Sequence, residues 1–151
     1  MSISGFPEST SSAHILLVNS NKSGLAARKA ILEEVGHRVT AATNGEDAWE
    51  QLSKAKFDLI VTEFKMGKMS GVELIKKMRG MEPAIPVIML SGYVEALGLT
   101  ESTTGADVVL AKSANEVPHL IRAVSRLLRQ RMKKPVGSQP PAASRARRRS
   151  S

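Results

Sequence analysis

The sequence predicts an α/β fold in which a five-stranded parallel sheet carries helices on both of its faces. Short strand-like segments alternate along the chain with segments of helical periodicity, and the strands are placed at residues 15–18, 39–43, 59–61, 86–90 and 108–110. Most of these segments are continuous apolar runs, which are typical of strands covered on both faces. Parallel neighbours need crossover connections, so the alternation favours a doubly wound sheet.

The segments between the first strands have the pattern of amphipathic helices. Residues 22–35 place apolar side chains on one helical face, and Gly36 follows where a helix C-terminus favours glycine. Asn44 is placed to cap a second helix. A third helix follows the turn-rich stretch 66–71. Each of these helices is expected to cover one face of the sheet.

The last two helical segments differ in the strength of their pattern. Residues 94–104 contain Gly98 and a polar Thr-Glu-Ser-Thr-Thr run, so they predict only a short or frayed helix. The final helix is the clearest, because apolar residues recur at three- and four-residue steps from Val117 to Leu128. Pro118 falls in its first turn, where proline is tolerated.

Length and composition predict one domain with two unstructured ends. We place a Ser-rich lead-in at residues 1–12, the domain at 13–132 and a basic tail at 133–151. Both ends hold few residues to bury, so disorder is expected there. The absence of Cys excludes disulfides, thiolate metal sites and cysteine nucleophiles. Neither a membrane span nor a secretory signal pattern is present, so we expect a soluble, cytoplasmic protein.

The net charge of +8 belongs to the C-terminal end of the chain. Residues 129–151 hold eight of the 22 basic residues and none of the 14 acidic ones, so the preceding 128 residues have no net charge. Weak, salt-sensitive contact of this tail with nucleic acid or an anionic surface is one interpretation. A solubilising end is the other. The four arginines that would make the contact are Arg145, Arg147, Arg148 and Arg149.

A doubly wound sheet places its functional site at the carboxyl ends of the strands. That rule selects five positions, which are Asn19-Ser20, Thr43, Thr62-Glu63, Ser91-Gly92 and Ala111-Lys112. Three of these positions carry side chains that can act together: Glu63, Ser91 and Lys112. Polar loops after the first strand also bind phosphates in some folds of this kind. The loop here lacks a glycine-rich fingerprint, so a cofactor or an enzymatic role is not expected.

The motifs at these positions resemble those of response-regulator receiver domains, which are CheY-like proteins, and the resemblance spans residues 13–130. The most specific stretch runs from Asp58 to Glu63 and on through the loop to Leu74. Pro86 to Ser91 and Gly105 to Lys112 resemble the family's fourth and fifth strands. The resemblance implies a flavodoxin-like sheet of order 2-1-3-4-5 and a part in two-component phosphorelay signalling.

Glu63 stands where the resemblance places the phosphoacceptor aspartate. The family's acidic pair, which holds Mg²⁺ together with the acceptor, corresponds here to Asn19 and Ser20. Mg²⁺ prefers carboxylate ligands, so we expect neither useful Mg²⁺ affinity nor another cofactor. Ser91 and Lys112 match the switch hydroxyl and the phosphate-contacting lysine. Val109 stands where the family has an aromatic switch residue.

These departures predict a stand-alone, non-enzymatic receiver-like module that acts by protein–protein interaction without phosphorylation. The resemblance implies a histidine kinase, another receiver or an output protein as the partner. Glu63, one methylene longer than aspartate, would hold Lys112 and Ser91 as a partial mimic of an aspartyl phosphate. The alternatives are that Glu63 is a structural relic paired with Lys112, or that the receiver is still phosphorylated. The three histidines are expected at the surface.

Overall fold

The computed structural model describes residues 12–133 except positions 83, 93 and 114. Its centre is a parallel sheet of order β2-β1-β3-β4-β5, as predicted. The strands are β1 (His14–Val18), β2 (Arg38–Ala42), β3 (Leu59–Glu63), β4 (Val87–Ser91) and β5 (Val108–Ala111). Because β3 is the central strand, the residue at its carboxyl end lies between the ends of β1 and β4.

Six helices connect or follow these strands within the described part of the chain. They are α1 (Lys22–Glu34), α2 (Gly45–Lys54), α3 (Gly71–Met81), α4 (Val94–Leu97), α5 (Glu101–Thr104) and α6 (Glu116–Lys133). Asn44 caps α2 as predicted, with its side chain accepting the Asp47 N–H at 2.7 Å. The weak pattern at 94–104 corresponds to two single-turn helices. Gly98 lies between them at φ +61°, a conformation that favours glycine.

The helices form two layers, one on each face of the sheet. Helices α1 and α6 cover one face, where their leucines pack on the sheet residues Ile15, Leu17 and Val61. Helices α2 and α3 cover the other face, and Leu74, Ile75 and Met78 lie there against Leu16 and Ile60. Burial on both faces explains why the strands are continuous apolar runs.

The bounds of the domain at residues 13–132 stay a prediction. Helix α6 extends through Lys133, one residue beyond the predicted end of the domain. Residues 1–11 of the predicted lead-in (1–12) and residues 134–151 of the predicted tail (133–151), with its four arginines, lie outside the described residues. Among the helices that are described, none is both long and apolar enough to cross a membrane.

His37 is buried, so the expectation that all three histidines lie at the surface was wrong. The residue lies in the turn between α1 and β2 and is 6% exposed, and its Nδ1 accepts the Ala13 N–H at 3.2 Å. Burial lowers the pKa of His37 below its ordinary value of 6.5, and the charge of Asp58 opposes part of that change. The folded protein therefore favours the neutral ring.

This burial predicts a stability that falls in mild acid. The unfolded chain binds a proton at His37 more tightly than the folded chain does. The contribution of neutral His37 to the free energy of unfolding is therefore fully present above about pH 6.5. It is lost as the pH falls toward the lowered pKa of the folded state. The loss is about 1.4 kcal/mol for each unit of pKa difference. Urea unfolding at pH 7, 6 and 5, followed by the fluorescence of the single tryptophan, Trp49, measures it.

The matched variants are His37→Asn, which keeps an acceptor for the Ala13 N–H, and His119→Asn on the exposed face of α6. The first should flatten the fall in stability between pH 7 and 5, and the second should leave that effect unchanged. Equal pH profiles for the wild type and His37→Asn would show that His37 is not the group responsible.

Candidate functional site

Glu63 ends the central strand β3 and carries a carboxylate into the interior. Its side chain is 8% exposed, and a carboxylate so far from water needs close donors or a counter-charge. The residue is paired in register with Leu90 of β4, while its neighbour Thr62 is paired with Val18 of β1. The carboxylate therefore extends from the middle of the sheet's carboxyl edge.

Two residues from opposite sides of that edge bind the Glu63 carboxylate. The Lys112 ammonium, from the loop after β5, forms an ion pair with Oε2. Ser20, from the loop after β1, donates to Oε1 twice, through its backbone N–H and through Oγ, each at 3.1 Å. The contact with Lys112 was predicted, and the two bonds from Ser20 were not.

Asn19 orders the loop that presents Ser20. It is almost completely buried, and its backbone N–H continues the sheet by donating to Ala42 O at 3.0 Å. Its Oδ1 accepts the Asn21 N–H at 2.9 Å. Asn21 in turn caps α1 by accepting the Gly24 N–H at 2.8 Å. The residue that caps α1 is therefore Asn21, and not the preceding Asn19 or Ser20.

The end of β4 places Lys112. Ala111 is paired in register with Ser91, and the Lys112 N–H donates to Ser91 O at 3.1 Å. Ser91 is itself buried at that strand end. The backbone of the predicted switch position thus sets where the lysine leaves the sheet, so Glu63, Ser91 and Lys112 share one edge as expected.

Val109 lies apart from this cluster, on the outer strand of the sheet. It is paired with Met89, it is partly buried against the α2–α3 side, and its N–H donates to Glu101 Oε2 at 3.2 Å. Glu101 therefore satisfies an outward-facing amide of an edge strand. No pattern in the sequence pointed to that contact.

Gly71 is a second residue that the site requires and that was not singled out. A Cβ added there would lie 2.1 Å from the backbone oxygen of Glu63, and its N–H donates to Phe64 O at 2.8 Å. The first turn of α3 thus approaches the end of β3 too closely for any side chain. The glycine in the Met-Ser-Gly stretch was the available signal.

The site is a buried carboxylate surrounded by donors. Its charged groups are one anion and one cation, Glu63 and Lys112. Asn19 and Ser20, which were predicted to correspond to the family's acidic pair, add no charge. Across the described residues, no group of three or more His, Cys, Asp or Glu side chains could hold a metal ion. This arrangement can hold two loops together electrostatically.

Comparison with known proteins identifies the family. Residues 15–125 match the response regulator receiver domain, so the chain belongs to that family. The transcriptional regulatory protein ZraR from Klebsiella oxytoca is 34% identical over 79 residues, which are 52% of this chain and 18% of ZraR. The match therefore spans about a fifth of that regulator.

Two further relatives match over more of their own length. The response regulator receiver protein CpdR from Brucella abortus is 25% identical over 97 residues, which are 64% of this chain and 81% of CpdR. The crystal structure of a CheY-like receiver domain protein from Methanospirillum hungatei superposes with a TM-score of 0.74 at 27% identity. That superposition covers 82% of this chain and 98% of the other. The predicted flavodoxin-like receiver fold is confirmed.

Removing the Lys112 charge should destabilise the fold by leaving Glu63 buried without a cation. We expect Lys112→Met to lower the free energy of unfolding by about 1–3 kcal/mol, since the lysine itself is partly exposed. The double variant with Glu63→Gln should recover part of this loss. Lys54→Met, from the exposed Lys54–Glu50 pair, is the control and should change it by less than about 0.5 kcal/mol. Equal effects at the two lysines would contradict this account; urea unfolding measures both.

An acid at position 20 should harm the site rather than restore it. Ser20→Asp would place a second carboxylate beside Glu63, whereas Ser20→Asn adds similar bulk without charge. We expect Asp to be the less stable of the two by roughly 1–2 kcal/mol in urea unfolding. In the Glu63→Gln background the difference should vanish. A difference that persists there would mean that Glu63 is not the group being repelled.

Proposed function

We propose that this receiver domain of the two-component signalling family acts without phosphorylation, as a non-enzymatic protein-interaction module. The observation that carries the proposal is the ion pair between Glu63 and Lys112. The lysine that would otherwise contact an incoming phosphoryl group already has an anion. The glutamate at the acceptor position already uses both of its oxygens.

Partial mimicry follows from the charge of the glutamate. A phosphoryl group carries about −1.5 to −2 charges and three acceptor oxygens, whereas the carboxylate carries one charge and two oxygens. The extra methylene of glutamate brings that charge to Lys112. The Glu63–Lys112 ion pair therefore attracts the ends of β3 and β5 to each other, but less strongly than a phosphoryl group would.

The side chains at this site are poorly suited as ligands of Mg²⁺. This cation prefers several hard oxygen ligands in octahedral geometry, usually including carboxylates. The side chains at the expected positions are an amide, a hydroxyl and the carboxylate of Glu63, which is occupied by Lys112 and Ser20. A divalent cation would have to displace the ammonium and both Ser20 donors. We therefore assign no metal-dependent step to this site.

The family resemblance supports a signalling protein as the partner. Receiver domains interact with histidine kinases and output proteins. CpdR, most of whose length the match covers, is described as a receiver protein. We propose that this receiver domain likewise takes part in signalling, and that it does so by binding another signalling protein.

Incubation of the full chain with acetyl phosphate and Mg²⁺, followed by intact-mass measurement, tests phosphorylation. The wild type should show no stable mass gain. The matched control is the triple variant Asn19→Asp, Ser20→Asp, Glu63→Asp, which rebuilds three carboxylates and should gain one phosphoryl group if it folds. A stable gain on Glu63 of the wild type would overturn the proposal.

Partner capture with Glu63→Gln tests whether Glu63 mimics an aspartyl phosphate or is only a structural relic. Glutamine keeps the size of the side chain and removes the charge that binds Lys112. If Glu63 is a mimic, the variant should lose most of the binding to whichever protein the wild-type chain captures. Lys54→Met, which removes an exposed ion pair, should retain it. Unchanged capture by Glu63→Gln would leave Glu63 as a structural relic.

A further inference from the structure

A second ion pair joins the two helices that follow the Ser20 and Lys112 loops. Arg28, on α1, donates from Nε to Glu116, the first residue of α6. The partners are 88 positions apart in the sequence, and each side chain is 12% exposed. The pairs Lys29–Glu33 and Lys54–Glu50 are far more open to solvent. A partly buried pair is screened less by water and salt, so Arg28–Glu116 is the better placed to hold elements together.

The Arg28 guanidinium also packs against the first turn of α1, which follows the loop that presents Ser20. A Cβ added at Gly24 would lie 2.8 Å from Arg28 Nη1 and 3.3 Å from Asn19 Nδ2. The guanidinium therefore lies directly over the backbone of the first turn of α1, next to the amide that orders the loop. Only a glycine at position 24 leaves that space open.

Glu116 is linked to Lys112 through a short turn. The Glu116 N–H donates to Ser113 O at 3.1 Å, and the Asn115 N–H donates to Ser113 Oγ at 3.2 Å. These bonds connect the first residue of α6 to Ser113, the residue that follows Lys112. A shift of Glu116 would therefore move the backbone that carries Lys112.

These contacts close a ring. Its inner link runs from Ser20 through Glu63 to Lys112, and its outer link runs from α1 through Arg28 to Glu116. Two links between the same segments favour each other, because the first one formed already brings the partners of the second together. Breaking either link should therefore weaken the other.

We propose that Arg28 and Glu116 are positioning residues for the Glu63 site, and that through them the charge state of Glu63 is coupled to the packing of α1 on α6. This inference deepens the proposed function, on which it rests, by naming how the state of the site reaches the helices on one face of the sheet. A partner that separates α1 from α6 would weaken the Glu63–Lys112 pair.

A double-mutant cycle on the full chain tests the coupling. Arg28→Met and Glu63→Gln are measured singly and together by urea unfolding, with Trp49 fluorescence as the signal. We expect the product of the two single effects on the unfolding equilibrium constant to differ from the double-variant effect by more than about twofold. Lys29→Met, from the next residue of α1, is the control and should combine with Glu63→Gln without such a discrepancy.

A second measurement separates positioning from general stability. Exchange of the Lys112 side-chain ammonium with water, followed by ¹⁵N NMR, should be several-fold faster in Arg28→Met than in the wild type or in Lys29→Met. The swapped variant, Arg28→Glu with Glu116→Arg, should restore slow exchange. If Arg28→Met does not fold, Arg28→Lys keeps the charge, loses the planar fork and should show a smaller increase.

Unchanged Lys112 exchange in Arg28→Met, or additive effects in the cycle, would overturn the inference. Neither measurement uses a phosphodonor or a partner. Their failure would therefore leave the phosphorylation-independent function standing. Conversely, a phosphorylated Glu63 would overturn that function and leave the measured coupling of the two pairs as it is.

Discussion

A carboxylate at the carboxyl edge of a buried parallel sheet has to be satisfied by donors from neighbouring strands. Glu63 is in this position, and the other features of the edge are arranged around it. Lys112 brings the opposite charge from one side, and Ser20 brings two neutral donors from the other. Asn19 orders the Ser20 loop, while Gly71 leaves room for the end of the strand. The fold supplies the edge, and the single buried anion determines which groups must line it.

The receiver family ordinarily gathers acids at this edge and lets a cation neutralise them. In this chain the arrangement is the opposite, because hydrogen-bond donors and one lysine surround a single carboxylate. The hydroxyl at position 20 binds the Glu63 carboxylate instead of adding a further acid to this edge. Glu63, Ser20 and Lys112 thus form a hydrogen-bonded cluster, and the proposed function is that this cluster acts without phosphorylation.

The parallel sheet and the joint placement of Glu63, Ser91 and Lys112 were predictable, because apolar runs and strand ends are local signals. The order of the strands was predictable only from the resemblance to the receiver family. The contacts that complete the site were not. The two hydrogen bonds from Ser20 to Glu63 depend on a loop conformation that Asn19 and Asn21 stabilise. Arg28 and Glu116 meet across 88 positions of sequence without any periodic pattern. The ring of His37 contacts Ala13, 24 positions away in the sequence, and a single polar residue in a turn does not disclose such a contact.

The ion pair between Glu63 and Lys112 has a consequence for how such a protein is controlled. A phosphorylated receiver returns to rest when its acyl phosphate hydrolyses, so its signal has a chemical lifetime. A side-chain carboxylate has none. In the proposed state the module is active from the moment it folds until it is degraded. The cell can then adjust the signal only through synthesis, turnover or a competing binder, so the concentration of the protein sets the strength of the signal.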